Sequence, residues 1–448
     1  MLRTRYACRT FGAALLGRLS YGMVSLSLVL AVKEATGSYA VAGTVMALFG
    51  LTSVFLSPTR AGLVDRYGPR RALLPMATAY ALLLTGLAFA ASWSGASGAS
   101  GASGASGASG VLLGVLAMTA GASTPPLGPV MRTLWSDLVP DKRLLQRAYS
   151  LDAVAEELLF VTGPLLVGLL VRVTVPSVGL AVSAALVLTG SLALISSPAV
   201  RRVVDHEKAS AVPAASEALV STVKPAPLRR RPRQGGPGLR QAVAVSAAVG
   251  MCLGALDLLV IAFADEHHAP EAVAWVLAAL SAGSAIGGLI YGAVPWRASS
   301  RLRLSCLAAA LGLTLAATGL SPHPYVLIAW AGLGGLFVAP AVTTAYLIAD
   351  EAAGPATRTQ AGAWVNTAFN AGSAGATAAT GLLVGRLPLP ACFALAAAPA
   401  VLSAATALTR SRRLAAVTAA LPQGERTSDA VQAPSATDEC SARQRKAS

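Results

Sequence analysis

Charge is scarce in this chain: Asp, Glu, Lys and Arg together make up 12% of its 448 residues, about half the share of an ordinary soluble domain. The shortage argues against a soluble globule, which needs charge to clothe its surface. The cysteines, Cys8, Cys252, Cys306, Cys392 and Cys440, are odd in number, and three fall in apolar runs. Neither a disulfide framework nor a metal site is implied. The four histidines form no ligand set; His267 and His268 are merely adjacent in a short connector. No phosphate loop of the G-x-x-x-x-G-K-[ST] kind occurs, which disfavours nucleotide-driven work by this chain. No metal, no cofactor and no enzymatic activity are expected.

What the sequence does have is apolar length. Hydrophobic residues are 54% of the chain and the mean hydropathy is +0.62. Twelve apolar runs lie near 11–32, 40–58, 72–92, 111–131, 151–171, 177–196, 240–263, 271–294, 303–320, 325–349, 360–384 and 389–408. Each can cross a ~30 Å hydrocarbon layer as a helix. Continuous runs, rather than short alternating ones, exclude a barrel.

The basic residues are sorted between the connectors. Of 35 Lys and Arg, only Lys33, Arg172 and Arg386 fall in the sparse alternate set, and Arg18 lies within a run. Basic connectors stay cytoplasmic during insertion. The expectation is an all-α membrane protein of twelve transmembrane helices with both termini cytoplasmic. The net charge of +15 then serves orientation and contact with membrane lipids rather than nucleic acid. The run from Phe11 is too long for a secretory signal and reads as the first span.

Residues 1–196 and 240–408 carry six runs each. Between them, 197–239 is a polar connector containing Arg201, Arg202 and Arg229–Arg231; 409–448 is a polar tail expected to be disordered. Residues 94–110 repeat Gly-Ala-Ser without Pro and are expected to form a flexible, uncharged linker. The halves resemble each other. Shifted by 232 residues, Ala40-Val41-Ala42 falls on Ala272-Val273-Ala274; shifted by 226, Gly62-Leu63 falls on Gly288-Leu289; Pro129 meets Pro340 under a shift of 211. A duplicated six-helix unit is expected, with substrate bound between the halves near mid-membrane.

After the second run comes Ala61-Gly62-Leu63-Val64-Asp65-Arg66-Tyr67-Gly68-Pro69-Arg70-Arg71. Small residues let helices approach, an Asp gains from a helix N-terminal dipole, and Arg66, Arg70 and Arg71 can pair with carboxylates or headgroups. The stretch resembles the loop between spans two and three of the major facilitator superfamily, G-x-L-a-D-R-x-G-R-[RK]. Leu63, Asp65, Arg66, Gly68 and Arg70 match; Ala61 replaces the opening Gly, with Gly62 directly after it, and Pro69 replaces the first Arg of the ending. The resemblance implies two pseudo-symmetric six-helix bundles working by alternating access. It also implies that Asp65 and Arg66 belong to a latch between the halves on the inner side, in a gating loop shared with Gly62, Gly68, Arg70 and Arg71.

In the fifth run, Gly163-Pro164 and Gly168 resemble the G-P-x-x-G-G stretch of antiporter-type exporters, although Val167 replaces one Gly and Val154 a leading one. Gly and Pro also give kinks and close packing without that role. The Arg that many proton-coupled exporters of the family carry in mid-span four is missing: Ala117–Ala120 precede Gly121, and Arg132 comes later, beside Pro129. In the second copy of the loop motif, Tyr291 stands opposite Asp65.

An ionisable side chain in mid-membrane costs about 2.5–3.5 kcal/mol on insertion scales, so each needs a reason. Arg18 either snorkels to the interface or serves the cavity. Asp152 precedes Glu156 and Glu157, which point about 100° apart on a helix; one can face the cavity or pair with Arg132 or Arg18 while the other reaches the interface. Asp257, apolar on both sides, is too deep to snorkel; it is a hydrogen-bonded structural group, a proton carrier or a partner for a cationic substrate. Asn366 and Asn370 share a helix face and either line the cavity or join helices. The reading is a monomeric secondary transporter of a bacterial cytoplasmic membrane that exports a small organic molecule in exchange for protons. An importer of a sugar or metabolite and a non-transporting sensor or scaffold are the alternatives.

Overall fold

The computed structural model describes residues 7–96, 105–139, 141–198, 200 and 236–420. The apolar runs become helices because a helix is the open-ended structure that satisfies every backbone group within lipid. Among the described residues the first half contains α1 (Ala7–Thr36), α2 (Tyr39–Phe55), α3 (Ser57–Tyr67), α4 (Pro69–Ala96), α5 (Ala105–Ser123), α6 (Leu127–Leu138), α7 (Lys142–Val171) and α8 (Ser177–Ile195). The second contains α9 (Pro237–Glu266), α10 (Ala272–Ala293), α11 (Ser300–Thr318), α12 (Pro324–Ala352), α13 (Arg358–Leu383) and α14 (Leu389–Ala420).

Two spans of the first half are broken. α2 and α3 meet at Leu56 with a 42° bend. α5 and α6 are separated by Thr124-Pro125-Pro126, where neither proline has an N–H to continue the ladder. Among the described residues, ten helices or continuous spans are long and apolar enough to cross a membrane, and the bent α2–α3 pair makes an eleventh. The twelfth expected span, 360–384, is the 26-residue α13; its Gln360, Asn366, Thr367 and Asn370 leave it outside that apolar set.

The expected linker 94–110 is shorter than anticipated: residues up to Ala96 belong to α4 and those from Ala105 to α5, with 97–104 outside the described residues. The tail expected from residue 409 begins as a continuation of α14 to Ala420, and 421–448 lie outside the described residues, as do 201–235 of the connector. The described residues up to Ala405 form one compact unit, which contains all the site geometry below.

Both halves use the same tight crossing. α1 packs on α7 where Gly22 faces Gly163, and α9 packs on α13 where Gly254 faces Ser373; a Cβ added at Gly22, Gly163 or Gly254 would overlap the backbone opposite. Small residues are what allow backbones this close. Interhelix contacts of α3, α6, α7, α10, α12 and α13 bring the connector ends that carry Arg66, Arg70, Lys142, Arg143, Arg297 and Arg358 to one end of the bundle, called the basic face here.

Candidate functional site

The buried charges of the first half form one network. Asp152 on α7 is fully buried and lies 2.5 Å from Arg18 of α1 and 2.9 Å from Arg132 of α6. Glu156, one turn along α7, reaches both guanidiniums, at 3.0 Å from Arg18 and 2.5 Å from Arg132. Two cations and two anions cancel, which is how four ionised groups tolerate a low-dielectric site. Arg18 is 3% exposed, so it does not snorkel to the interface. From the other half, Tyr346 lays its ring 3.7 Å from the Arg132 guanidinium.

Arg60 lies near the start of α3 and is 6% exposed. The expected second run stopped short of it. Its guanidinium donates to the Gly121 carbonyl at 2.5 Å and to the Ser53 carbonyl, acceptors in the last turns of α5 and α2; the Gly121 carbonyl also accepts from Thr124. Two helix C-termini, each worth about half a negative charge, take the place of a carboxylate: among the described residues, Arg60 forms no ion pair.

Two cavities adjoin this network. One, of about 260 Å³, is lined by Arg18, Tyr21, Arg60, Arg132, Glu156 and Asn370, among others. The second, of about 540 Å³, lies between the halves and is lined by Glu156, Glu157, Asp257, Tyr346, Asn366 and Phe369 with a largely apolar remainder. Glu157 accepts from the Ser284 hydroxyl of α10 at 2.9 Å. Asp257 is exposed to this space and, among the described residues, has no hydrogen bond or ion pair. Asn366 and Asn370 line both cavities; Asn366 also accepts from Tyr346 at 3.5 Å, and the Asn370 amide donates to the Asn366 carbonyl.

The halves are joined on the basic face. The Asp65 carboxylate accepts from the backbone N–H groups of Thr359 and Gln360, at 3.2 and 2.9 Å, so it caps the first turn of α13 in the opposite half. Gly62 fits there because a Cβ would come within 3.2 Å of the Gln360 amide. Gly68 ends α3 at φ +80°, a conformation that favours glycine. Arg66 lies over the neighbouring Tyr67 ring at 5.3 Å; among the described residues, Arg66, Arg70 and Arg71 pair with no carboxylate. Arg358 adds an ion pair to Asp137 at 3.1 Å.

A second join, not anticipated from the sequence, repeats the first across the pseudo-symmetry. The Gln146 amide of α7 donates to the Tyr291 carbonyl at 2.7 Å, while Arg303 donates to Gln146 Oε1 at 2.8 Å and to the Tyr291 hydroxyl at 2.7 Å. Tyr291, opposite Asp65 in the repeat, therefore holds the corresponding seam by its main-chain carbonyl, while its hydroxyl bonds Thr344 and Arg303 of its own half.

The exporter-like signature is divided by the structure. Gly163 packs on α1, α7 continues unbroken through Pro164, and a Cβ at Gly168 would meet nothing within 4 Å. The breaks fall instead at Leu56 and at Thr124–Pro126. Among the described residues no cluster could hold a metal ion.

The Major Facilitator Superfamily model matches residues 10–313 and 242–437. The chain belongs to the major facilitator superfamily. That family consists of transporters rather than enzymes, which agrees with the absence expected from the sequence. Among solved structures, a bacterial homologue of the iron transporter ferroportin in an outward-facing state has a TM-score of 0.72 at 14% identity, covering 91% of this chain and 100% of its own. The human organic anion transporter MFSD10 (TETRAN) gives 0.62 at 15%, covering 90% and 98%. The proton:xylose symporter XylE, bound to 6-bromo-6-deoxy-D-glucose, gives 0.59 at 11%, covering 89% and 94%. These likenesses show a shared fold. No curated protein matches the chain in sequence. The all-α major facilitator fold is the one expected from the sequence.

Proposed function

We propose that this major facilitator protein exports a small amphiphilic organic cation across a bacterial cytoplasmic membrane in exchange for protons, with both termini in the cytoplasm. Asp257 carries the reading. It is an unpaired carboxylate on a membrane-spanning helix, exposed to a cavity of about 540 Å³ between the halves. A charge in that position demands a reason, and a carboxylate that alternately holds a proton and a cation supplies one. Glu157 supports it as a second cavity acid. Phe160, Leu253, Leu280 and Phe369, on the same walls, suit an apolar body attached to the cation. The Asp65 and Tyr291 joins support a state closed towards the cytoplasm and open outwards, the release-competent state of an exporter that then takes up a proton.

The test is transport in reconstituted vesicles with an imposed pH gradient and a panel of lipophilic amines beside neutral sugars and organic anions. Amine movement that follows the gradient, and a loss of at least about tenfold in Asp257→Asn, is the expected outcome. Transport of amines unaffected by the gradient, or undiminished in Asp257→Asn, rejects the coupling. Counterflow of a sugar alone replaces export of a cation with import of a metabolite.

A further inference from the structure

A third cavity, of about 520 Å³, opens on the basic face and belongs to neither the charge network nor the seam cavity. One wall is the first turns of α7, with Lys142, Arg143 and Arg147. The other is the α10–α11 connector with Trp296 and Ser299, followed by Arg303; the end of α12 closes it with Asp350 and Glu351. The two walls come from different halves. Of its cations, Lys142 has a weak contact with Glu351 at 3.8 Å, and Arg147 and Arg303 donate to neutral oxygens, Gly292 O and Gln146 Oε1. The Arg143 side chain has no hydrogen bond or ion pair among the described residues. Asp350 is already engaged by Arg358, at 3.7 Å. The cavity thus offers more positive charge than its own acids balance.

Its surroundings say where a ligand comes from. Trp296, 44% exposed, stands in the wall, and tryptophan is enriched at the headgroup level of a bilayer. Directly before the cavity residues on α10, Leu289 and Ile290 are more than half exposed, a surface for acyl chains. Basic pockets between membrane helices on the cytoplasmic side bind anionic headgroups.

We propose that this cavity binds the phosphate of an anionic phospholipid, and that the bound headgroup bridges α7 to the α10–α11 connector and holds the basic face closed. Opening that face separates the two cationic walls from each other, so the lipid prefers the closed state and shifts the equilibrium by its differential affinity. Free inorganic phosphate shares the headgroup's chemistry but lacks the chains that lie on Leu289 and Ile290.

The experiment follows the basic face directly and needs no transported substrate. The full chain, with its native cysteines replaced by serine, carries spin labels at Tyr67→Cys and Ala356→Cys, one exposed site in each half beside the seam. It is reconstituted in phosphatidylcholine vesicles, in phosphatidylcholine with phosphatidylglycerol, and in phosphatidylcholine with inorganic phosphate in the buffer. Phosphatidylglycerol is expected to raise the ratio of short to long distances about fivefold, since two or three cations near a charged headgroup are involved. The exposed pair Lys142→Gln/Arg143→Gln is expected to lose the shift, while Arg9→Gln/Arg240→Gln, which removes two exposed charges of the same face outside the cavity, keeps it. An equal shift with inorganic phosphate overturns the lipid assignment. Equal loss in both double variants, retention in the first, or no shift in the wild-type chain overturns the site.

Discussion

The two halves share a scaffold but divide its chemistry. Aligned on the Gly22–Gly163 and Gly254–Ser373 crossings and on Pro129 and Pro340, the network residues Arg18, Arg132, Asp152 and Glu156 correspond to Gly250, Thr343, Gly362 and Asn366. The first half has gathered four charges into one network in which they satisfy one another, while its Arg60 rests on backbone carbonyls and its Glu157 accepts from the Ser284 hydroxyl. The second has kept neutral residues at all four positions and placed a single acid, Asp257, where the first half has Ser25. Symmetry therefore fixes where helices touch and leaves open how the charges of each half are partnered. A balanced network stiffens the bundle that holds it, whereas a lone carboxylate is free to answer a ligand.

The strongest way to break this contrast is to neutralise one acid in each half. Asp152→Asn leaves two buried guanidiniums facing one carboxylate, and losing one partner of a buried pair costs about 3–5 kcal/mol. Asp257→Asn removes a charge that nothing pairs with, and its effect on stability is expected within about 0.5 kcal/mol. Thermal unfolding of the two purified variants in one detergent measures the difference. If Asp152→Asn unfolds at the wild-type temperature, the network is not what stabilises the first half.

Much of this arrangement is legible in the sequence. Apolar length located the spans, because a helix that crosses lipid needs about twenty apolar residues whatever its partners. The first join was visible because Asp65 sits in a motif of adjacent residues. Arg60 was missed for a physical reason: the apolar run stops near residue 58, but the chain bends at Leu56 and carries α3 on to Tyr67, so a residue that looks like connector is buried. The Gln146–Tyr291 join was missed because its acceptor is a backbone carbonyl, which no residue type announces. Which network partner each acid takes depends on helix rotation, and Asp152, the most buried of them, looked less consequential in sequence than Glu157.

A milder test exchanges the crossings. Gly163→Ser gives α7 the residue that α13 carries at the matching position, yet its Cβ meets the Gly22 backbone. Overpacking of this kind costs about 1–3 kcal/mol. Ser373→Gly, the reverse exchange, removes a hydroxyl and a Cβ that the second half already accommodates, and is expected to cost no more than the ~1 kcal/mol helix penalty of glycine. Unfolding midpoints again decide; a Gly163→Ser variant as stable as wild type would show that the first crossing has room the geometry does not suggest.

The smallest expected effects separate the two joins on the basic face. Asp65→Ala deletes the carboxylate that caps α13, and caps are worth about 0.5–2 kcal/mol; the closed-to-open ratio of the Tyr67/Ala356 spin-label pair is expected to fall about fivefold. Tyr291→Phe removes hydrogen bonds to Thr344 and Arg303 but leaves the Tyr291 carbonyl, which Gln146 uses, in place. It should therefore lower the same ratio by only about twofold, within the range of one net hydrogen bond. Gln146→Ala, which deletes the donor to that carbonyl and the acceptor for Arg303 together, should fall between the two. A Tyr291→Phe effect as large as that of Asp65→Ala would mean that the phenol, not the main chain, holds the second seam, and the two joins would then be alike in chemistry as well as in place.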